Sequence, residues 1–407
     1  VLAKDIFEDF EVGNNSEVNY AKIDLHKNIV DEIVLVSPSG QPMKREADLI
    51  DVWFDSGSMP YAQWHYPFEN KELIDENKSF PPDFIAKVGD QTKGGFDTLH
   101  AIATMVFDSV AYKNVVSNGL VLDKNGQKMS KRLGNAVDPF TTLAEYGPDA
   151  TRWYMISNAN PWDNLKFDIE GVAEVRRKFF GTLYNTYSFF ALYANIDGFH
   201  DQEEEVPLGE KPEIDRWITS LLNSLIKEVD EHYAEYEPTR AGRAIQKFVG
   251  DHLSNWYVRL CRRRFWKGEY SQDKISAYQT LDRCLSVVAQ LSSPIAPFFM
   301  ERLYLDLNPG ESGGVSVHLS DFPEANDDAI DLDLEGRMKI AQTISSLVLS
   351  LRKKEGIKVR QPLQKIMVPV MDKEFHQRLK LVENIILSEV NVKEMEYLDH
   401  DAGVFSK

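Results

Sequence analysis

The chain has 407 residues, 43% of them hydrophobic and 27% charged, with 46 basic against 64 acidic residues and a formal net charge of -18. This composition suits a cytosolic globular protein with two or three cores of ~100–200 residues each. Two cysteines, Cys261 and Cys284, exclude a disulfide framework or a Cys-x-x-Cys metal pair and are expected as free buried thiols. No apolar run approaches the ~20 residues that span a bilayer.

Residues 1–165 mix short apolar strands, Ile33-Val34-Leu35-Val36 among them, with helical stretches and turns rich in Gly, Pro, Asn and Ser. This is an α/β pattern. The apolar run Leu120-Val121-Leu122 followed by Asn125-Gly126 predicts a strand and a hairpin turn. Lys128-Met129-Ser130-Lys131-Arg132 then lies on a mobile loop leaving the strand end. Asp138 with Pro139 predicts an N-cap and a first-turn proline, and Gly147 a stop, so a short helix anchors the loop's far end.

From 166 to 325 the apolar period becomes helical. One stripe is Val172, Val175, Phe179, Leu183 and Tyr187; a second is Ile214, Trp217, Ile218, Leu221, Leu222, Leu225 and Val229. A third runs Ala241, Ala244, Ile245, Phe248, Val249, Leu253, Trp256, Tyr257 and Leu260. The fourth is Ile275, Tyr278, Leu281, Leu285 and Val288. Four stripes in succession predict an α-helical bundle. The acidic Asp201-Gln202-Glu203-Glu204-Glu205 has no period and reads as a solvated linker. Over 326–407, a helix ending near Arg352 and a strand at Lys365–Val370 predict a small mixed α/β subdomain.

Two lysines three apart on a loop suit a triphosphate. Their charge can stabilise the negative charge that develops at an α-phosphoryl centre as pyrophosphate leaves, with no proton transfer required. The same spacing occurs on ordinary solvated loops, so the surrounding text decides. That text is Asp51-Val52-Trp53-Phe54-Asp55-Ser56-Gly57, Asp90-Gln91-Thr92, Asn118-Gly119-Leu120-Val121-Leu122, Gly134-Asn135 and Asp138-Pro139. Further on stand Asp149-Ala150-Thr151-Arg152, Ser254-Asn255-Trp256-Tyr257-Val258-Arg259 and Val359-Arg360-Gln361-Pro362-Leu363. In this order the chain resembles the class I aminoacyl-tRNA synthetases nearly end to end, and within them the isoleucyl branch.

The resemblance implies a fold: the second half of a Rossmann-like nucleotide-binding domain over 1–165, an α-helical anticodon-binding domain over 166–325 and an incomplete C-terminal subdomain over 326–407. It implies ATP with magnesium, L-isoleucine and tRNA(Ile) as partners of a cytoplasmic monomer, with no membrane. Lys128 and Lys131 become the catalytic pair, and Lys128, Met129, Ser130 and Lys131 the ATP-binding loop. Trp53, Lys87, Asp90 and Gln91 take the aminoacyl-adenylate pocket, Trp53 lying where a strand ends in the family. The basic run Arg259, Arg262, Arg263, Arg264 and Lys267, with Trp256 and Trp266 interleaved, is either a solvated helix face or a tRNA contact. Stacking rings beside cations are how proteins hold splayed bases, and against the acidic background such a patch would be the only place for RNA.

The family's first half carries a His-x-Gly-His signature, whereas the histidines here stand at 26, 65, 100, 200, 232, 252, 318, 376 and 400, no two of them three apart. Nor is any stretch long enough for the large editing insertion of the isoleucyl branch. The start Val1-Leu2-Ala3-Lys4-Asp5 has no initiator methionine or signal peptide, and the chain is expected to be a C-terminal portion of a longer enzyme, inactive alone. Family members often carry zinc, but these histidines and cysteines form no sequence cluster, so no metal is expected here.

One segment departs from the family pattern Glu-Gly-x-Asp-Gln-x-Arg-Gly-Trp-Phe. It reads Lys87-Val88-Gly89-Asp90-Gln91-Thr92-Lys93-Gly94-Gly95-Phe96, followed by Asp97. A cation replaces the glutamate and a glycine the tryptophan, which would forgo on the order of 2–3 kcal/mol of apolar contact. Two alternatives therefore stay open, a valine-type class I synthetase and a non-catalytic tRNA-binding module derived from one.

Overall fold

The computed structural model describes residues 9–11, 13–14, 16–23, 26–48, 52–89, 94–200, 203–308, 315–370 and 372–398. The chain divides into two compact units, 1–118 and 119–407.

The first unit opens with two single-turn helices, α1 (Glu17–Tyr20) and α2 (Lys27–Val30), then an antiparallel hairpin, β1 (Val34–Val36) with β2 (Pro42–Lys44), in the register Val34 to Lys44. Helices α3 (Val52–Ala62) and α4 (Lys71–Asp75) follow, and then β3 (Phe84–Val88), α5 (Gly95–Phe107) and β4 (Asn114–Asn118). Strands β3 and β4 pair in parallel, Phe84 opposite Asn114 and Val88 opposite Asn118. With α5 between them they form a β-α-β crossover. Helix α3 lies against α5 because Gly57 has no side chain: a Cβ there would come within 2.8 Å of Thr98 Cγ2 and 2.9 Å of Ile102 Cδ1. Ile74, Phe80, Leu99, Ala103 and Ala111 are the buried centre of this unit.

The second unit begins with β5 (Val121–Leu122), paired in parallel with β6 (Leu165–Lys166). Between them run α6 (Pro139–Tyr146), started by Asp138 and ended by Gly147 at φ 86°, and α7 (Pro148–Asn158). The expected helix after the loop is thus present, and Pro148 restarts helix immediately instead of leaving a loop. Next come α8 (Ile169–Val175), a π-helical turn at Arg176–Phe180, α9 (Gly181–Asp197), α10 (Glu213–Ala234) and α11 (Pro238–Lys247). A π-helical stretch, Phe248–Val258, runs without a break into α12 (Arg259–Trp266), followed by α13 (Gln272–Ser292), α14 (Pro297–Leu307) and α15 (Leu332–Lys354). A second β-α-β unit closes the described chain: β7 (Leu363–Pro369), α16 (Lys373–Val390) and β8 (Val392–Leu398), the two strands parallel.

All four predicted stripes enter one core. Its centre is α13, where Tyr278, Leu281, Leu285 and Val288 are fully buried. The third stripe holds a feature that periodicity alone did not reveal. Ala241, Ile245, Val249, Leu253, Tyr257, Cys261 and Phe265, every fourth residue, are all buried. In a uniform α-helix each four-residue step drifts by about 40°, and such a stripe would wind out to solvent. The π stretch at Phe248–Val258 has wider turns, which carry the stripe back towards the core. Cys261 and Cys284 are free and buried, and burial pushes the Cys261 thiol up to about 12. No helix among the described residues is long and apolar enough to cross a membrane.

Candidate active site and RNA-binding face

In the first unit Trp53 sits in the opening turn of α3, 37% exposed. This corrects the expected strand end: Val52–Ala62 is helical, and Ser58 donates its hydroxyl back to Phe54 O at 2.7 Å within that helix. The indole lies beside Gly94, where a Cβ would come within 2.9 Å of Cζ2. Lys87 projects from β3 and its Nζ donates to Ser56 Oγ at 3.3 Å. That ammonium occupies the space over Gly95. Asp97 lies in the first turn of α5, where a carboxylate complements the helix dipole. Asp90, Gln91, Thr92 and Lys93 lie outside the described residues.

In the second unit the Lys128–Arg132 loop is held by two side chains. Asp123, just after β5, accepts from the backbone N–H of Asn125 at 2.9 Å and of Gln127 at 2.8 Å with one oxygen, and from Asn135 Nδ2 at 2.9 Å with the other. Asn135 in turn accepts the Ser130 N–H at 2.9 Å and donates to Lys128 O at 3.3 Å. The Gln127 N–H, the Asn135 amide and the neighbouring backbone donors hold the Asp123 carboxyl below its usual range. Gly126 takes φ 83° in the predicted turn, and Leu122 and Lys128 bridge in antiparallel fashion across it. Lys128 is exposed, Met129 packs against the helical core, Ser130 is half-buried, and Lys131 opens a 3-10 turn, Lys131–Leu133. Neither Asp123 nor Asn135 was singled out as a site residue from sequence. The signal was an aspartate at the start of a tight turn, which commonly bonds its own backbone two residues on.

Helix α7 ties this loop region to the bundle. Asp149 accepts the Phe299 N–H at 2.5 Å and so caps the start of α14. One turn on, Arg152 donates through Nε to Ile295 O at 2.8 Å and through Nη2 to Pro294 O at 3.2 Å, satisfying carbonyls just beyond α13. Burial raises the Asp149 carboxyl despite the amides it accepts from Phe299 and Phe298.

The basic run on α12 separates into different fates. Arg264 turns inward: Nη1 and Nη2 lie 2.6 and 2.8 Å from the two oxygens of Asp215, which is fully buried and also accepts the Tyr257 and Ser276 hydroxyls. Arg264 also reaches Asp273 at 3.0 Å. Arg259 pairs with Glu389 on α16. Trp256 is buried and edge-on to Trp217 at 6.5 Å, so it offers no open stacking face. What remains outward is Arg262, between the rings of Phe189 at 5.9 Å and Trp266 at 5.5 Å, with Arg263 and Lys267 exposed beside it. The stacking partner for these cations is therefore Trp266, 47% exposed.

Two family patterns match the chain in sequence. Residues 2–168 match "tRNA synthetases class I (I, L, M and V)" and residues 215–367 match "Anticodon-binding domain of tRNA ligase". The chain belongs to the class I tRNA synthetases. Relatives of this synthetase chain include the isoleucine–tRNA ligase of Bacteroides fragilis, 64% identical over 400 residues, which is 98% of this chain and 35% of that relative. The isoleucine–tRNA ligase of Porphyromonas gingivalis is 59% identical over 407 residues, all of this chain and 36% of the relative. That of Dehalococcoides mccartyi is 45% identical over 376 residues, 91% of this chain and 37% of the relative. The synthetase chain thus spans about a third of these relatives' length. A solved structure titled as a ternary complex of Agrobacterium radiobacter LeuRS, tRNA and LeuAMS shares the fold, with a TM-score of 0.57 at 20% identity over 73% of this chain and 36% of that one.

Proposed function

We propose that this chain is the KMSKR-loop and anticodon-binding portion of an isoleucine–tRNA ligase. The observation that carries the reading is the Lys128–Lys131 loop, fixed behind β5 by Asp123 and Asn135, in a chain 64% identical to ligases of that name. In this reading residues 1–165 supply the second half of a nucleotide-binding domain, with the β3-α5-β4 crossover as its recognisable piece. Residues 166–325 bind the anticodon region of tRNA(Ile), and 326–407 begin a C-terminal subdomain.

The intact enzyme works in two steps. The isoleucine carboxylate attacks the α-phosphorus of ATP, giving isoleucyl-adenylate and pyrophosphate, and a terminal ribose hydroxyl of tRNA(Ile) then attacks the activated carbonyl and releases AMP. Lys128 and Lys131 stabilise charge on the phosphates as pyrophosphate departs, while Ser130 and the loop amides position them. Magnesium accompanies ATP. Trp53, Lys87, Asp90 and Gln91 serve the amino acid and adenylate, and the protein works as a cytoplasmic monomer.

The test is amino-acid-dependent ATP–pyrophosphate exchange. The 407-residue chain alone is expected to give none. Joined to the remaining length of a 64% identical relative, it should exchange with isoleucine, and Lys131→Ala should lower the rate of adenylate formation far more than it weakens isoleucine binding. An unchanged rate removes the loop from the mechanism. The departures at Lys87 and Gly95 favour one rival, a different branched amino acid, and faster exchange with valine than with isoleucine would decide for it. Binding of tRNA with no exchange for any amino acid would instead leave a non-catalytic tRNA-binding module.

A further inference from the structure

The acidic run after α9 is tied to the bundle rather than free. Gln279 on α13 accepts the Val206 N–H at 3.0 Å and donates to Glu204 O at 2.9 Å, and Val206 is buried. A second strap, 324–329, is held on α10, where Asn223 Oδ1 accepts the Asn326 N–H at 2.8 Å. The two straps, α10 and α13 enclose a cavity of about 380 Å³, within the ~300–1,000 Å³ typical of ligand sites. Leu222 and Ile226 of α10, both buried, give it an aliphatic floor. Thr280 of α13 also lines it, and its side chain is 2% exposed with a hydroxyl that has no hydrogen-bond partner. A buried hydroxyl in that state costs free energy unless something in the cavity completes it. Charges of both signs line the same space: Lys211, half-buried, and Arg283, exposed, against the exposed Glu205 and Glu324. None of these four side chains is ion-paired or hydrogen-bonded among the described residues.

We infer that this cavity binds a free aliphatic α-amino acid, at a site separate from the Trp53 and Lys87 segment of the first unit. A zwitterion is the ligand that answers both signs. Its carboxylate meets Lys211 and Arg283 and its ammonium meets Glu205 and Glu324, and charge-assisted bonds of this kind are the strong ones. The Thr280 hydroxyl gains a partner, and the hydrocarbon side chain lies on Leu222 and Ile226. A nucleotide or another polyanion is disfavoured, because Glu203 and Asp282 add two further carboxylates to the lining. A purely apolar molecule would take water from the charged groups without replacing it.

The experiment titrates L-leucine into the 407-residue chain and its variants by isothermal calorimetry, all shown to be folded by circular dichroism. Two analogues run beside it, leucinol, which lacks the carboxylate, and 4-methylpentanoate, which lacks the ammonium. Leucine is expected to bind, and each analogue to bind about tenfold more weakly or worse, since each loses a bond to a charged group. Arg283→Glu, at an exposed position, should weaken leucine binding about tenfold. Thr280→Val keeps the shape of a side chain whose hydroxyl has no protein partner, so it should leave the fold intact and still weaken leucine several-fold. If leucine gives no heat with the parent chain, the cavity is no amino-acid site. If 4-methylpentanoate or leucinol binds as well as leucine, the zwitterion assignment is overturned. If Arg283→Glu and Thr280→Val bind leucine like the parent chain while Trp53→Ala abolishes binding, the amino acid sits in the first unit and this cavity takes none. The ligase reading stands in each of these cases, because pyrophosphate exchange tests it separately.

Discussion

Lys87 Nζ stands 2.0 Å from the point that a Cβ on residue 95 would occupy, with Lys87 Cε and Cδ at 3.1 and 3.2 Å. The two departures from the family pattern in this segment are therefore one change. A lysine at 87 reaches Ser56 Oγ only because residue 95 is glycine. Gly95→Ala is expected to displace the lysine and break that bond, costing about 0.5–1.5 kcal/mol, and Gly95→Trp to cost more. Adding Lys87→Ala to either should return most of the loss, with a coupling energy of roughly 0.5–3 kcal/mol in a double-mutant cycle read by thermal denaturation. Strict additivity would show that the two sites are independent.

The Asp123–Asn135 pair predicts a loop whose order depends on two side chains outside it. Asn135→Ala leaves the Ser130 amide and the Asp123 carboxylate each short of a partner. Timed tryptic digestion should show faster cleavage after Lys128 and Arg132 than in the parent chain. An unchanged digestion pattern would mean the loop is fixed by other contacts.

The same carboxylate gives a pH dependence of definite sign. Because the Asp123 pKa is depressed in the folded chain, its contribution is complete above the unfolded value of about 3.9 and is lost as pH falls through the lower folded value. Hydrogen exchange at the Asn125 and Gln127 amides, corrected for intrinsic rates, should therefore be constant near neutrality and lose protection only below about pH 4.

Neighbouring arginines on α12 should behave oppositely. Arg264→Ala strands Asp215, which is fully buried, and should destabilise the second unit by about 3–5 kcal/mol. Arg263→Ala, on the exposed side, should stay within about 0.5 kcal/mol. Urea titrations compare the two directly.

For RNA the order reverses. Arg262→Ala with Arg263→Ala should flatten the fall of log K with log salt by roughly one to two units, up to about one per lost phosphate contact. With 64 acidic against 46 basic residues, the chain as a whole repels RNA, so local clusters of cations carry the contacts. The same affinity and slope in folded protein would make that face a plain solvated surface.

The sequence by itself determined whatever depends on local spacing. The hairpin before the loop followed from Asn125 and Gly126, the start of α6 from Asp138 and Pro139, and the bundle from four apolar stripes, because turn chemistry and helix periodicity act over a few residues. It also carried the family, through motifs in order. Only the tertiary structure decided which members of a charge run are free. Arg264 and Arg259 look like Arg262 and Arg263 in the sequence, and partners 49 residues away at Asp215 and on α16 at Glu389 separate them. The placement of Trp53 on a helix, the π stretch under the third stripe and the joining of Lys87 to Gly95 belong to the same category. Each depends on what another segment brings within a few ångströms, and no local pattern records that distance.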